Sequence, residues 1–202
     1  RISVCARISP APAPTPAATP DDAAKRLREK LERLLARDPC RSESSIVLNG
    51  RTLEYRAIAE FIPVVAGGVD DKRGDPEAAI FTTSYLLDAA DPATRPVCFV
   101  FNGGPGSASI WLHLGALGPK RVVIREDGTM RPPPYTVTDN QESWFEHFDL
   151  VFIDPPHTGY SITASVEARK RMLSVDGDVD ALAECIRTWL GRHRRWSSPV
   201  FV

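Results

Sequence analysis

Apolar and polar positions change texture several times along the chain. Over residues 21–38 they follow a helical period, with Leu27, Leu31, Leu34 and Leu35 on one face. Asp21 and Asp22 suit the positive end of a helix dipole, Pro39 stops it, and Glu29 and Arg33 stand one turn apart as a candidate ion pair. The spacing predicts an amphipathic helix of about four turns. From Ser45 the period falls to two. SIVLNGRTLEYRAIAEF reads as a hairpin turning at Asn49-Gly50, a dipeptide suited to the left-handed dihedrals of a tight turn. AAIFTTSYLL, rich in β-branched and aromatic residues, reads as a third strand.

Further on, VCFVF (97–101) and DLVFID (149–154) have continuous apolar centres without polar alternation, which predicts strands buried on both faces. Helical segments separate them. SASIWLHLGALG predicts a short helix carrying Trp111 and His113, and NQESWFEH a helical turn capped by Asn140. Asp176 to Leu190 predicts an amphipathic helix with Val179, Leu182, Ala183, Ile186 and Leu190 inward. PVFV then opens a third apolar run. An antiparallel start followed by buried strands and intervening helices predicts an α/β fold: an open mixed sheet with an antiparallel N-terminal edge. Ligands bind such sheets at the carboxyl ends of their strands. The loops after Phe101 and after Asp154 both lie there.

Composition changes this picture at the N-terminus. Residues 8–20, ISPAPAPTPAATP, hold prolines 10, 12, 14, 16 and 20 and almost nothing that builds a core, so residues 1–20 read as a Pro/Ala-rich disordered arm or linker. The expected organisation is thus an arm (1–20), a helix (21–38) and a globular domain (45–202). A net charge of −1 makes no electrostatic case for nucleic acid or an anionic membrane. The basic run Arg192-His193-Arg194-Arg195 reads as charge complementing a helix C-terminus. Cys5, Cys40, Cys98 and Cys185 form no metal-binding pattern, although Cys5 and Cys40 offer a possible disulfide. No metal or cofactor is expected, and no apolar run reaches the length of a membrane span.

Asn102-Gly103-Gly104-Pro105-Gly106 carries the chemistry. Phosphate-binding loops have other glycine spacings, and Lys120 lies too far along to be a P-loop lysine. A tight turn accounts for such a loop, and so does oxyanion stabilisation, in which bare backbone N–H groups face developing negative charge.

FNGGPGSAS, then LGPKRV, then DNQESWFEHFDLVFIDPPHTGYS, over roughly residues 45–202, closely resemble the serine carboxypeptidase family, particularly its bacterial members. The resemblance implies an α/β-hydrolase fold and a Ser-Asp-His triad that removes C-terminal residues from peptides. It further implies that the Gly104 N–H forms part of the oxyanion hole, that Asn102 and the Gly103 N–H grip the carboxylate of a substrate with a free C-terminus, and that Tyr160 contributes to substrate binding. It implies a secreted or periplasmic setting, while oligomeric state stays open.

The chain also departs from the family pattern. The family's Gly-Glu-Ser-Tyr-Gly elbow follows a strand like PVFV, and no G-x-S-x-G occurs in the 202 residues. The expectation is therefore an N-terminal portion, with its sheet incomplete at the C-terminus, its triad beyond Val202, and no activity of its own. Ser161 imitates an elbow serine but sits several residues past its strand, so it reads as structural; His113, His147, His157 and His193 are candidate bases only if Ser161 is a nucleophile. His157 stands where the family usually has glycine, Ala116 where eukaryotic members have a carboxylic residue, and Ser107 where they have a half-cystine. Two alternatives are another α/β hydrolase, such as a proline iminopeptidase or esterase, and a non-catalytic peptide-binding remnant.

Overall fold

The computed structural model describes residues 20–65, 74–88, 90–103, 106–125, 127–130 and 132–202. Helix α1 (Pro20–Leu35) is followed by strands β1 (Cys40–Leu48), β2 (Arg51–Val65) and β3 (Pro76–Leu87). Strand β4 (Val97–Val100) leads through the glycine loop into helix α2 (Ile110–Leu112), which continues as a wider π-helical turn over His113–Leu117. Strands β5 (Lys120–Val122) and β6 (Val137–Asp139) form a separate small ribbon. Then come β7 (Asp149–Ile153), β8 (Ile162–Thr163), α3 (Val166–Met172), α4 (Val175–Arg192) and β9 (Val200–Phe201).

The main sheet has seven strands. Its order is β1-β2-β3-β7-β4-β9, and β8 also pairs with β3. β1 to β3 and the β3–β7 pair are antiparallel, while β7, β4 and β9 are parallel. The antiparallel start thus gives way to a parallel section, as the change in hydrophobic pattern predicts. Asn49 (φ 48°) and Gly50 (φ 75°) supply the positive dihedrals of the hairpin turn. Every residue of β4 and β7 is buried. On one face Val97, Phe99, Val151 and Ile153 pack with α4, where the Trp189 ring meets Phe99 edge-on. On the other, Cys98, Val100, Leu150 and Phe152 pack with Tyr55, Tyr85 and Phe145, flanked by Leu112 and Leu117.

The register around β3 shapes the site. Thr82 pairs with Ile153 at the end of β7, and Ala79 pairs with Ile162 at the start of β8. Only Ile80 and Phe81 intervene on β3. β7 and β8 therefore lie in line along one edge of β3, and residues 154–161 leave and rejoin that line as a closed excursion of the Ω-loop kind. Phe81 pins its neck: its carbonyl accepts from the Asp154 N–H at 3.0 Å and its N–H donates to Ser161 Oγ at 2.8 Å.

Several sequence expectations shift. The first helix ends at Leu35, and Arg33 donates to the Glu29 carbonyl oxygen rather than pairing with its carboxylate. Ser143, not Asn140, caps the turn at Trp144–Glu146: its Oγ accepts from the Phe145 N–H, while the Asn140 amide donates to the carbonyls of Ala116 and Gly118. On α4 the buried face is Ala181, Leu182, Cys185, Trp189 and Leu190, whereas Val179 and Ala183 face outward. Bulk decides this phase, because Trp189 needs the interior and finds there a partner for its indole N–H, Ser84 Oγ at 3.0 Å. Trp111 is largely exposed. The basic run does more than face a helix dipole: Arg192 and His193 both bond the buried Glu60 carboxylate, and Arg195 bonds Asp149. Cys40, Cys98 and Cys185 are free thiols, and burial pushes the last two above their usual pKa. Cys5 and the arm through Thr19 lie outside the described residues.

Candidate functional site

β4 and β7 are parallel neighbours, so the loops after them emerge at the same edge of the sheet. Phe101, Asn102 and Gly103 leave β4; Pro155 and Pro156 leave β7. With Met172 and the start of α4 they line a cleft of about 200 Å³. Asn102 is half-buried, its Nδ2 donates to Ser107 Oγ at 3.2 Å, and its Oδ1 is buried without a partner among the described residues. Among the described residues one N–H of that amide is left for a ligand. Gly103 is exposed, with open space where a side chain would stand, which leaves its backbone approachable. Gly106 has φ 101°, a conformation that requires glycine in this turn. Gly104 and Pro105 lie outside the described residues.

No Lys or Arg lines the cleft among the described residues, but Asp178 does. Partial burial holds the Asp178 carboxyl above its usual pKa. Tyr160 is not among the residues lining the cleft. It is 71% exposed and its ring packs on Phe81, with centroids 5.0 Å apart. The structure thus brings Asn102 and Gly103 together at one cleft, while Tyr160 stands outside its lining.

Asp154 joins these loops. It is buried, its Oδ1 accepts from the Ser109 N–H and from Ser109 Oγ, each at 3.0 Å, and its Oδ2 accepts from the Tyr160 N–H at 3.1 Å. In the sequence Asp154 is one member of a motif, with nothing local to mark this task. Its contact with Ser109 spans 45 positions and has no local sequence signature.

Ser161 is consumed by structure. Its hydroxyl donates to the Asp154 carbonyl at 2.7 Å while accepting from the Phe81 N–H, and its partners include no histidine. The histidines have other surroundings. His113 stacks on Phe152 with centroids 4.5 Å apart and its Nε2 meets the Tyr85 hydroxyl at 2.6 Å. Burial depresses its pKa to about 4, against the pull of the Asp154 charge. His147 is exposed beside Glu146, and His193 stacks on Trp189. His157 is exposed at φ 65°, the left-handed conformation that glycine adopts without cost. Local desolvation, then the charge of Arg169, hold its pKa below the usual value.

The family model described as "Serine carboxypeptidase" matches residues 81–202, more than half of the chain. The chain belongs to the serine carboxypeptidase family. Among curated relatives, it is 37% identical over 89 residues to the "Pheromone-processing carboxypeptidase KEX1" of Puccinia graminis f. sp. tritici, covering 43% of this chain and 12% of that protein. It is 24% identical over 164 residues to "Serine carboxypeptidase-like 2" of Arabidopsis thaliana, covering 77% of this chain and 36% of the relative. With "Serine carboxypeptidase-like 33" of the same plant it shares 32% identity over 125 residues, or 61% of this chain and 24% of the relative. The chain therefore spans little more than a third of the length of these relatives at most. The family match takes in both loops of the cleft, while α1, β1 and β2 precede it.

Proposed function

We propose that these residues form the carboxylate-reading part of a bacterial-type serine carboxypeptidase of α/β-hydrolase fold. Its substrate is a peptide with a free C-terminus. Asn102 and the Gly103 N–H hold the terminal carboxylate, and the Gly104 N–H contributes to the oxyanion hole. The Ser-Asp-His triad comes from sequence outside residues 1–202, so these residues bind but do not cleave. Such an enzyme works in a secreted or periplasmic setting.

The observation that carries this reading is the cleft at the carboxyl end of β4, where Asn102 and Gly103 offer neutral amide donors and no cation lines the wall among the described residues. A carboxylate can be held by side-chain and backbone amides without a buried counter-ion. Titration calorimetry with one short peptide, as free acid and as C-terminal amide, tests it. Tighter binding of the acid without hydrolysis is expected, and equal binding of both forms overturns the role of Asn102. Hydrolysis by residues 1–202 alone would overturn the placement of the triad. Reading the gene in frame past the Val202 codon tests that placement directly, the expected finding being a Gly-Glu-Ser-Tyr-Gly-like elbow followed by Asp and His.

A further inference from the structure

We propose that Asp154 is a positioning residue that locks the glycine loop to the 154–161 loop and so sets the geometry in which a substrate carboxylate is read. The inference rests on the reading of the cleft given above. Asp154 does not line the cleft, so it acts through the groups it holds. Its carboxylate is buried, and among the described residues it forms no ion pair; neutral donors meet its charge.

Those donors come from two directions. Ser109 closes the loop that Asn102 opens and offers both its N–H and its hydroxyl to Oδ1. Tyr160 lies on the returning limb of the Ω-like loop and offers its N–H to Oδ2. Charge-assisted bonds of this kind are roughly twice as strong as neutral ones. Gly159 makes the approach possible, because a Cβ at that position would overlap the carboxylate. The Asp154 main chain is fixed as well, since its N–H donates to Phe81 and its carbonyl accepts from Ser161. One side chain anchored in the sheet therefore sets the separation of the two loops that lead into the cleft.

Asp154→Asn separates these roles. With its oxygen toward Ser109 the amide keeps both serine bonds, but its NH2 then faces the Tyr160 N–H, donor against donor. The experiment compares the wild-type chain with Asp154→Asn by two readouts: amide hydrogen exchange at Ser109 and Tyr160 by NMR, and the ratio of affinities for a short peptide as free acid and as C-terminal amide. Far-UV circular dichroism checks that the variant folds.

The expected result is at least tenfold faster exchange at Tyr160, a smaller change at Ser109, and at least a tenfold fall in the acid-to-amide ratio. Faster exchange with an unchanged ratio overturns the proposal, because Asp154 would then be a structural residue alone. Unchanged exchange overturns it too, by showing that the bond holds nothing. If Asp154→Asn does not fold, Ser109→Ala removes the hydroxyl donor, retains the backbone one, and carries the same two readouts with a threshold of threefold. A wild-type chain with no acid preference overturns the reading of the cleft and with it the substrate part of this proposal; the exchange readout still decides whether Asp154 locks the loops.

Discussion

The Asp154 carboxylate occupies the space into which a side chain at position 159 would grow. Gly159 also has φ 49°, so two independent constraints meet at this residue. Gly159→Ala is expected to cost about 2–4 kcal/mol, combining left-handed strain with displacement of a hydrogen-bonded buried carboxylate. Chemical denaturation of the variant checks this; a loss under ~0.5 kcal/mol would mean that the loop readily rearranges.

Asp178 lines the cleft and is held above its usual pKa by partial burial. When ionised it repels a bound carboxylate; when protonated it does not. Binding of a free-acid peptide is therefore expected to tighten as pH falls toward the raised Asp178 value. Asp178→Asn should bind more tightly at neutral pH, by several-fold, and lose that part of the pH dependence. Calorimetric titrations at a series of pH values decide the matter, and an unchanged profile in the variant excludes Asp178 as its source.

His113 links pH to stability. Its pKa is about 4 in the folded chain and about 6.5 when unfolded, so between these values the unfolded state binds more protons. Stability is therefore expected to fall as pH drops from about 6.5 to about 4, by at most ~1.4 kcal/mol per pH unit. Glu60 acts lower. Burial raises its pKa, but hydrogen bonds from His193 and Arg192 outweigh that and leave it below its usual value of 4.5, so its contribution is lost only at more acid pH. His113→Phe keeps an aromatic ring against Phe152 and strands the Tyr85 hydroxyl. It should be less stable at pH 7 yet show a flatter curve between pH 6.5 and 4.5 in denaturant melts.

At the opposite end of the sheet Asp149 holds two arginines. Its Oδ1 accepts from Arg95 Nε at 2.8 Å and its Oδ2 from Arg195 Nη1 at 2.5 Å, and all three side chains are almost fully buried. Arg95 also reaches the carbonyls of Phe145 and Phe148, and Arg195 reaches that of Arg95. Asp149→Ala leaves both cations without their carboxylate and is expected to cost about 3–5 kcal/mol. A double variant that also replaces Arg195 with Met should recover part of the loss. Equal stability of the single and double variants would show that Arg195 carries no penalty when left without its carboxylate.

The sequence carried what is local and periodic. The hairpin at Asn49-Gly50, the two doubly buried strands and the position of both loops follow from apolar period and turn residues, which act over a few positions. Non-local choices were not legible. The phase of α4 depends on where the sheet has room for Trp189, and the roles of Arg192, His193 and Arg195 depend on carboxylates that the fold brings from β2 and β7. Helix α3 went unread because seven residues are too few to show a period. For the site, the placement of Asn102 and Gly103 at the end of β4 and the structural task of Ser161 could be read from motif and context. Asp154 and Ser109 meet through tertiary packing alone.

The in-line arrangement of β7 and β8 along β3 makes the tip of the 154–161 loop an exchangeable cassette. The sheet register is already satisfied on either side of it, and its neck is closed by Phe81, Asp154 and Ser161. A longer or chemically different tip can be spliced between Asp154 and Gly159 at little thermodynamic cost, since closure entropy grows only slowly with length. One wall of the cleft is thus open to redesign, by evolution or by grafting, on a sheet that need not notice the change.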